Sequence, residues 1–345
     1  MAGNAETGTA PRDARVAPIS LDEVSTHSQA VLKAVQSVIV GKEEPLKLVL
    51  AGILAGGHIL LEDLPGLGKT LTARCFAQSL GLDFRRLQFT PDLLPADVTG
   101  SFLYNQKTGE FVYRKGPVHT NLLLADEINR TPPKTQSALL EAMQERQVSV
   151  EGETYGLERP FTVLATSNPI EFEGTYQLPE AQLDRFLLRV SFGYPDENEE
   201  WEVLQRRIGR GREETDLDPV IDAATLVKMQ QALEHVTVED SVGRYMVAIV
   251  AASRRHSQLQ AGASPRGSLA LMLASRALAV LDGRDFVTPD DVKGVASAAL
   301  THRITLRPEL WMRRIDPATI VDDICRAVEA PQTAQAPSYS HLQQQ

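Results

Sequence analysis

Three short stretches hold residues whose types and spacing suit work on a phosphate group. The first is His58 to Thr70, HILLEDLPGLGKT. Ile59-Leu60-Leu61 is a short apolar run of the kind that forms a buried parallel strand. Pro65, Gly66 and Gly68 break it into a loop, and Lys69-Thr70 lead into Leu71–Leu80, which reads as a helix. In that order these elements make a phosphate cradle. Backbone N–H groups of the loop and helix start face phosphate oxygens, Lys69 reaches the β and γ phosphates, and the Thr70 hydroxyl is a ligand for Mg2+. The usual spacing, G-x-x-x-x-G-K-[ST], has glycine where this chain has Asp63. A degenerate glycine match alone reads as well as a structural turn, but the intact PGLGKT behind an apolar strand favours a nucleotide. The candidate binding residues here are Asp63, Leu64, Pro65, Gly66, Leu67, Gly68, Lys69, Thr70 and Leu71.

The second stretch is Leu122 to Glu127, LLLADE. Its apolar residues bury a strand and deliver Asp126 to the carboxyl end, where ligands sit in open α/β sheets. Asp126 there can hold Mg2+ opposite Thr70, and Glu127 can polarise a water. The bland alternative is a strand followed by an acidic helix cap. The third stretch, Ala165 to Pro169, ATSNP, offers Asn168 to orient that water, although a lone Ser-Asn-Pro more often marks a turn. Two arginines complete the candidates. Arg185, in LPEAQLDRF, and Arg266, in ASPRG, each read alone as solvated side chains.

The elements that must position these residues alternate in type. Helical spacing is expected over residues 21–38 and 43–55, with a β-like turn at Val38–Lys42 between them. Strands are expected at 59–61, 84–89, 121–125, 148–154, 159–166 and 187–192, with helices at 71–80, 135–146 and 181–186. Residues 101–118 suggest a hairpin bent at Gly109. Strands alternating with helices predict a parallel α/β sheet. After Gly193-Tyr194-Pro195 only helical periods follow, at 198–208, 223–234, 242–253, 266–281, 289–302 and 317–328. The expected organisation is therefore a disordered segment at 1–18, an α/β nucleotide-binding domain at 19–193, a small all-α domain at 194–330 and a disordered tail at 331–345.

Composition narrows the function classes. The chain has 345 residues, 35 Lys+Arg against 45 Asp+Glu, and a net charge of −10. That balance disfavours a protein that wraps nucleic acid. Residues 1–16 lack the apolar core of a secretory leader, and no run is apolar enough over a sufficient length to span a bilayer. Cys75 and Cys325 are far apart, with no metal-ligand spacing, and fit small apolar roles in a reducing cytoplasm.

Taken together, LLEDLPGLGKT, LQFTPDLLPADVTG, LLLADEINRTPPKTQSALLEAMQERQVSVEG, TSNPIEFEGTYQLPEAQLDRF, GASPRG and LTHRI resemble the MoxR family of AAA+ ATPases, from about Gln36 to Arg303. The resemblance implies a P-loop AAA+ core, a parallel sheet flanked by helices, followed by a small all-α lid. It implies ATP and Mg2+ as cofactors, Lys69 and Thr70 as the Walker A pair, and Asp126 and Glu127 as the Walker B pair. Asn168 becomes sensor 1, Arg185 an arginine finger reaching a neighbour's γ-phosphate, Arg266 sensor 2, and Val40-Gly41 the adenine-contacting segment. The hairpin in 101–118 matches the helix-2 insert, and Val148–Arg159 a hairpin before sensor 1. An arginine supplied in trans implies a ring, expected to be a hexamer. The family resemblance further implies a cytoplasmic, chaperone-like remodeller that matures a client or inserts its cofactor, helped by a separate protein with a von Willebrand factor A domain. The rival readings are a metal-chelatase-like motor subunit, a nucleic-acid motor and a non-enzymatic nucleotide switch.

Overall fold

The computed structural model describes residues 19–168, 175–211, 216–311 and 315–331. The expected disordered ends at 1–18 and from 332 onward lie outside the described residues. In chain order the first part contains α1 (Leu21–Gln36), α2 (Glu43–Leu54), β1 (Ile59–Glu62), α3 (Lys69–Ser79), β2 (Phe84–Gln88), α4 (Pro95–Thr99), β3 (Gly100–Asn105), β4 (Glu110–Lys115), β5 (Leu122–Asp126), α5 (Pro133–Glu145), β6 (Gln147–Val150), β7 (Glu153–Gly156), β8 (Thr162–Ser167), α6 (Glu180–Leu183) and β9 (Leu188–Val190). Then follow α7 (Glu197–Arg210), α8 (Ala223–Ala232), α9 (Asp240–Ser253), β10 (Leu259–Ala261), α10 (Pro265–Leu281), α11 (Pro289–Leu300), β11 (Thr305–Leu306), α12 (Pro308–Trp311) and α13 (Pro317–Ala327).

Five strands form one parallel sheet in the order β2-β5-β8-β1-β9. The three central strands are apolar on both faces, so alternate residues enter two different cores. Ile59, Leu61, Leu122, Leu124 and Leu164 face one core, and Leu60, Leu123, Ala125, Val163 and Ala165 face the other. The first core is closed by α1, α2, α3 and the helical second part, and the second by α5. The register sets Gln88 opposite Asp126, Ala125 opposite Ala165 and Leu61 opposite Thr166. The carboxyl ends of β2, β5, β8 and β1 therefore stand side by side.

The second part is the expected small helical lid. One short antiparallel ladder, β10 with β11, accompanies its helices. α7 follows a capping box at Asp196, whose carboxylate accepts from Asn198 and Glu199 N–H. The single strand that periodicity predicts over 148–154 is two, β6 and β7, the hairpin that the family resemblance implies for Val148–Arg159, joined at Glu151-Gly152 with φ of 52° and 88°. Two consecutive left-handed residues are what a tight hairpin turn requires. The β-like turn expected at Val38–Lys42 is a turn without strand pairing, with Gly41 and Lys42 both left-handed.

His58 joins the layers beneath the sheet. Its Nδ1 accepts from Val163 N–H at 2.9 Å, so Nε2 carries the proton and donates to the Met143 carbonyl at 3.0 Å. Burial pushes this imidazole down to about 4. An unfolded imidazole titrates near ~6.5, so below that pH the unfolded chain binds a proton that the folded chain refuses. The contribution is complete above the unfolded value and is lost as pH falls toward the folded one, by roughly 3 kcal/mol in all. Buried His302 is lowered by the same desolvation and acts in the same direction. Denaturant midpoints should therefore drop steadily as pH is lowered from near-neutral toward 4. A His58→Gln variant, less stable at neutral pH, should show a flatter slope; an unchanged slope would remove His58 from the account.

Candidate active site

The loop after β1 is shaped by Gly66 (φ 84°) and Gly68 (φ 78°), both left-handed. A Cβ at either would meet nothing within 4 Å, so it is backbone conformation and not space that requires glycine there. Gly68 is the N-cap of α3, no side chain caps that end, and its first turn has no acidic residue. The free N–H groups of the helix start thus remain available to an anion. Lys69 Nζ donates to the Asp63 carbonyl at 2.6 Å. Burial lowers its pKa, with the charges of Asp63, Asp126 and Glu127 acting against that shift.

Facing this donor wall is an acceptor wall built from β5, β8 and β2. Asp126 Oδ1 accepts from Thr166 Oγ1 at 2.6 Å. Its Oδ2 accepts from Arg86 Nε at 3.0 Å and Nη2 at 2.6 Å. Glu127 takes a left-handed backbone (φ 56°), a strained conformation for a non-glycine residue, and its N–H donates to Thr166 Oγ1 at 2.8 Å. Glu127 Oε2 accepts from Gln88 Nε2 at 2.7 Å and Arg130 Nη1 at 3.0 Å. The Thr166 hydroxyl therefore fixes both acids, donating to one and accepting from the backbone of the next.

Between the walls lies a cavity of about 410 Å³ lined by Pro65, Gly66, Gly68, Lys69, Thr70, Leu71, Arg86, Asp126, Glu127, Thr166 and Asn168. A chain of phosphates suits this arrangement, with amides and an ammonium on one side and carboxylates on the other. Thr70 and Asp126 are hard oxygen donors, the set that suits Mg2+. Asp126 Oδ1 keeps a lone pair beyond its bond to Thr166. These residues therefore fit the cation. A carboxylate held still next to such a chain, as Glu127 is, can take a proton from water.

Not every expected residue lines this cavity. Asn168 does, and it is buried; its carbonyl accepts from Asn129 Nδ2 at 3.4 Å. Val40, Gly41, Asp63, Leu64, Leu67, Arg185 and Arg266 do not. Asp63 points its carboxylate away, accepting from Ser191 Oγ at 2.6 Å, Phe192 N–H at 2.6 Å and Gly193 N–H at 3.1 Å. Three donors just past β9 need an acceptor, and glycine at position 63 would supply none. Gly41 packs against Glu199, and Lys42 Nζ donates to the Tyr194 carbonyl at 2.8 Å. Arg266 lies 3.9 Å from Asp184 Oδ2. The Arg185 guanidinium has no hydrogen bond or ion pair among the described residues.

Arg86, Gln88, Thr166 and Arg130 are functional candidates that the motifs do not single out. Arg86 and Gln88 alternate along β2 and so face the same side at its carboxyl end, which is a signal available once β2 is placed beside β5.

Comparison with known proteins agrees with this geometry. Residues 58–188 match the ATPase family associated with various cellular activities (AAA), and residues 251–324 match the AAA lid domain. The chain is similar to the uncharacterised protein YeaC of Bacillus subtilis, 52% identical across 86% of this chain and 92% of the relative. It is similar to the chaperone MoxR1 of Mycobacterium tuberculosis, 42% identical across 92% of this chain and 86% of the relative. A crystal structure of a candidate ATPase from Cytophaga hutchinsonii superposes with a TM-score of 0.84 at 40% identity, covering 90% of this chain and 97% of that one.

Lys69 tests the cradle directly. Its described hydrogen bond is to a loop carbonyl, so Lys69→Ala should leave the circular dichroism and the thermal midpoint nearly unchanged. Loss of a charged hydrogen bond to phosphate should weaken nucleotide affinity by roughly 10- to 100-fold, as read by calorimetry. Affinity near that of the unmodified protein would remove the cradle assignment.

Proposed function

The chain belongs to the MoxR family of AAA+ ATPases, and on that footing we propose that it binds ATP with Mg2+ in the cavity between α3 and β5 and hydrolyses the terminal phosphate. The observation that carries this reading is the placement of Glu127. It stands one residue past β5, its carboxylate fixed by Gln88 and Arg130, in the same cavity as Lys69 and Thr70. In the proposed reaction Lys69 leaves the Asp63 carbonyl for the phosphates, and the α3 amides share their charge. Thr70 and Asp126 hold the cation, which when bound neutralises charge on the transferring phosphoryl group. Glu127 takes the proton of the attacking water, and Asn168 orients it.

Arg185 and Arg266 are absent from the cavity lining and flank Asp184 together. We assign both to a neighbouring protomer's nucleotide, with Arg185 as the finger. That requires a ring, for which the family resemblance suggests six copies. The division into a core and a helical lid at about Gly193 belongs to the same proposal, as does an adenine contact from Val40-Gly41. A chaperone-like remodelling role draws support from the name of the Mycobacterium tuberculosis relative. The exposed apolar residues Leu103, Tyr104, Phe111 and Val112 on the β3–β4 hairpin offer a client surface. Cofactor maturation with a separate von Willebrand factor A domain partner rests on the family resemblance alone. Among the described residues no helix is long and apolar enough to cross a membrane. Work in the cytoplasm, where ATP is abundant, completes the proposal.

Glu127→Gln preserves shape and the bond from Gln88 but removes the base. ATP binding should persist while turnover falls by on the order of 10²-fold or more. Turnover equal to the unmodified protein would pass the base role to another group.

The ring reading has its own test. Arg185→Ala and Lys69→Ala proteins should each be inactive, and mixing them should restore hydrolysis wherever an intact cradle meets an intact finger. A finger supplies about 10³–10⁵ in rate, so even partial rescue is measurable. No rescue in verified mixed rings would confine Arg185 to its own protomer.

A further inference from the structure

Arg303 lies in the lid, just after α11, yet its guanidinium is almost wholly buried and turned toward the core. Its Nε donates to Asp184 Oδ1 at 2.7 Å. Its Nη2 donates to the Phe186 carbonyl at 2.7 Å and the Asp184 carbonyl at 3.3 Å. Its Nη1 donates to the Leu187 carbonyl at 3.1 Å and also to the carbonyl of Ala299 near the end of α11. Three of the four carbonyls from Asp184 to Leu187 are thus held by one side chain. That segment runs between α6 and β9, and Arg185 sits in it.

Other lid residues hold the same segment. His302 Nε2 lies 3.0 Å from the Phe186 carbonyl. Ser264 Oγ donates to Asp184 Oδ2 at 3.2 Å, and Thr305 Oγ1 donates to Glu180 Oε1 at 2.6 Å, in α6 just before the segment. Burying a guanidinium is costly unless all its donors are matched, and apolar packing would serve simple cohesion at least as well. Here four of its six hydrogen-bond contacts go to the few residues that carry Arg185, and the other two reach Ala299 and the ring of its neighbour His302. The backbone there is irregular, and its carbonyls need donors that the sheet does not provide.

We infer that Arg303 is a positioning residue for Arg185: the lid of one protomer holds the finger that serves the next protomer's nucleotide. This rests on the reading of Arg185 as a finger acting across a ring interface. Lid and finger then move as one body, and a change in one lid is felt at the adjacent site.

The test uses full-length protein with Arg303→Lys, which keeps the charge and loses the planar fork. Rings should form and ATP affinity should stay within about 2-fold, because nothing near the cradle changes. Displacement of a reacting group by about 1 Å can cost ~10² in rate, so kcat should fall on the order of 10- to 100-fold with KM nearly constant. Mixed with Lys69→Ala protomers, the Arg303→Lys cradles should regain activity from their neighbours' intact fingers. Asp184→Asn should behave likewise and carries the test if Arg303→Lys does not fold.

Unchanged kcat in either variant's rings would overturn the inference. So would loss of activity without rescue, provided that Arg185→Ala is rescued in the same mixing experiment, because Arg303 would then act within its own protomer. If Arg185→Ala is not rescued either, the trans reading itself fails and the inference falls with it. If neither variant folds, these contacts are cohesive only, and the inference is equally overturned.

Discussion

A strand buried on both faces has no place for an unpaired charge until it ends. That constraint organises this molecule. β1, β5 and β8 carry no charged side chain before their carboxyl ends, and their apolar side chains alternate between two cores. The first charged residues they carry, Glu62 and Asp126, are at their carboxyl ends, and parallel pairing brings those ends together. Lys69, Asp126, Thr166 and Asn168 meet because the strands leading to them cannot hold such groups any earlier. The chemistry of the site is thus a direct result of how the core is filled.

Within the site, the polar groups satisfy one another before any substrate arrives. Lys69 rests on a carbonyl, Arg86 on Asp126, and Gln88 and Arg130 on Glu127. Such provisional pairs lower the cost of holding like charges close together in a partly buried cavity. They also mean that ligand binding is an exchange of partners more than a filling of space. β2, at the sheet edge, supplies Arg86 and Gln88, and so has a part in the site out of proportion to its exposed position.

Much of this was legible in the sequence where the signal is contiguous. The cradle residues Gly66 to Thr70 and the pair Asp126-Glu127 follow apolar runs that announce strands, and the lid helices follow their own period. Arg86, Gln88 and Thr166 were not legible as site residues, because their role depends on which strand pairs with which, and strand order is a long-range property. Thr166 stood inside a motif whose Asn168 drew the attention. Periodicity alone read the β6–β7 hairpin as one strand, because Glu151-Gly152 is a weaker turn signal than Asn-Gly or Asp-Gly, and only the family resemblance implied a hairpin over Val148–Arg159. Asp63 matched a glycine position by spacing, but its carboxylate serves backbone amides more than a hundred residues away, which spacing does not reveal. The placement of Arg266 beside Asp184, outside the cavity, came from the packing of the lid and had no local signature.

The Asp63 carboxylate joins the phosphate loop to Ser191, Phe192 and Gly193, and α7 begins four residues after Gly193. Lys42 adds a second tether through the Tyr194 carbonyl. α7, 14 residues long, is also held near its far end, where Arg206 donates to the Gln36 and Ser37 carbonyls at 3.0 and 2.9 Å. Trp201, Leu204 and Ile208, exposed along it, thus form an apolar surface whose place is set by the same polar tethers that fix the loop after β1.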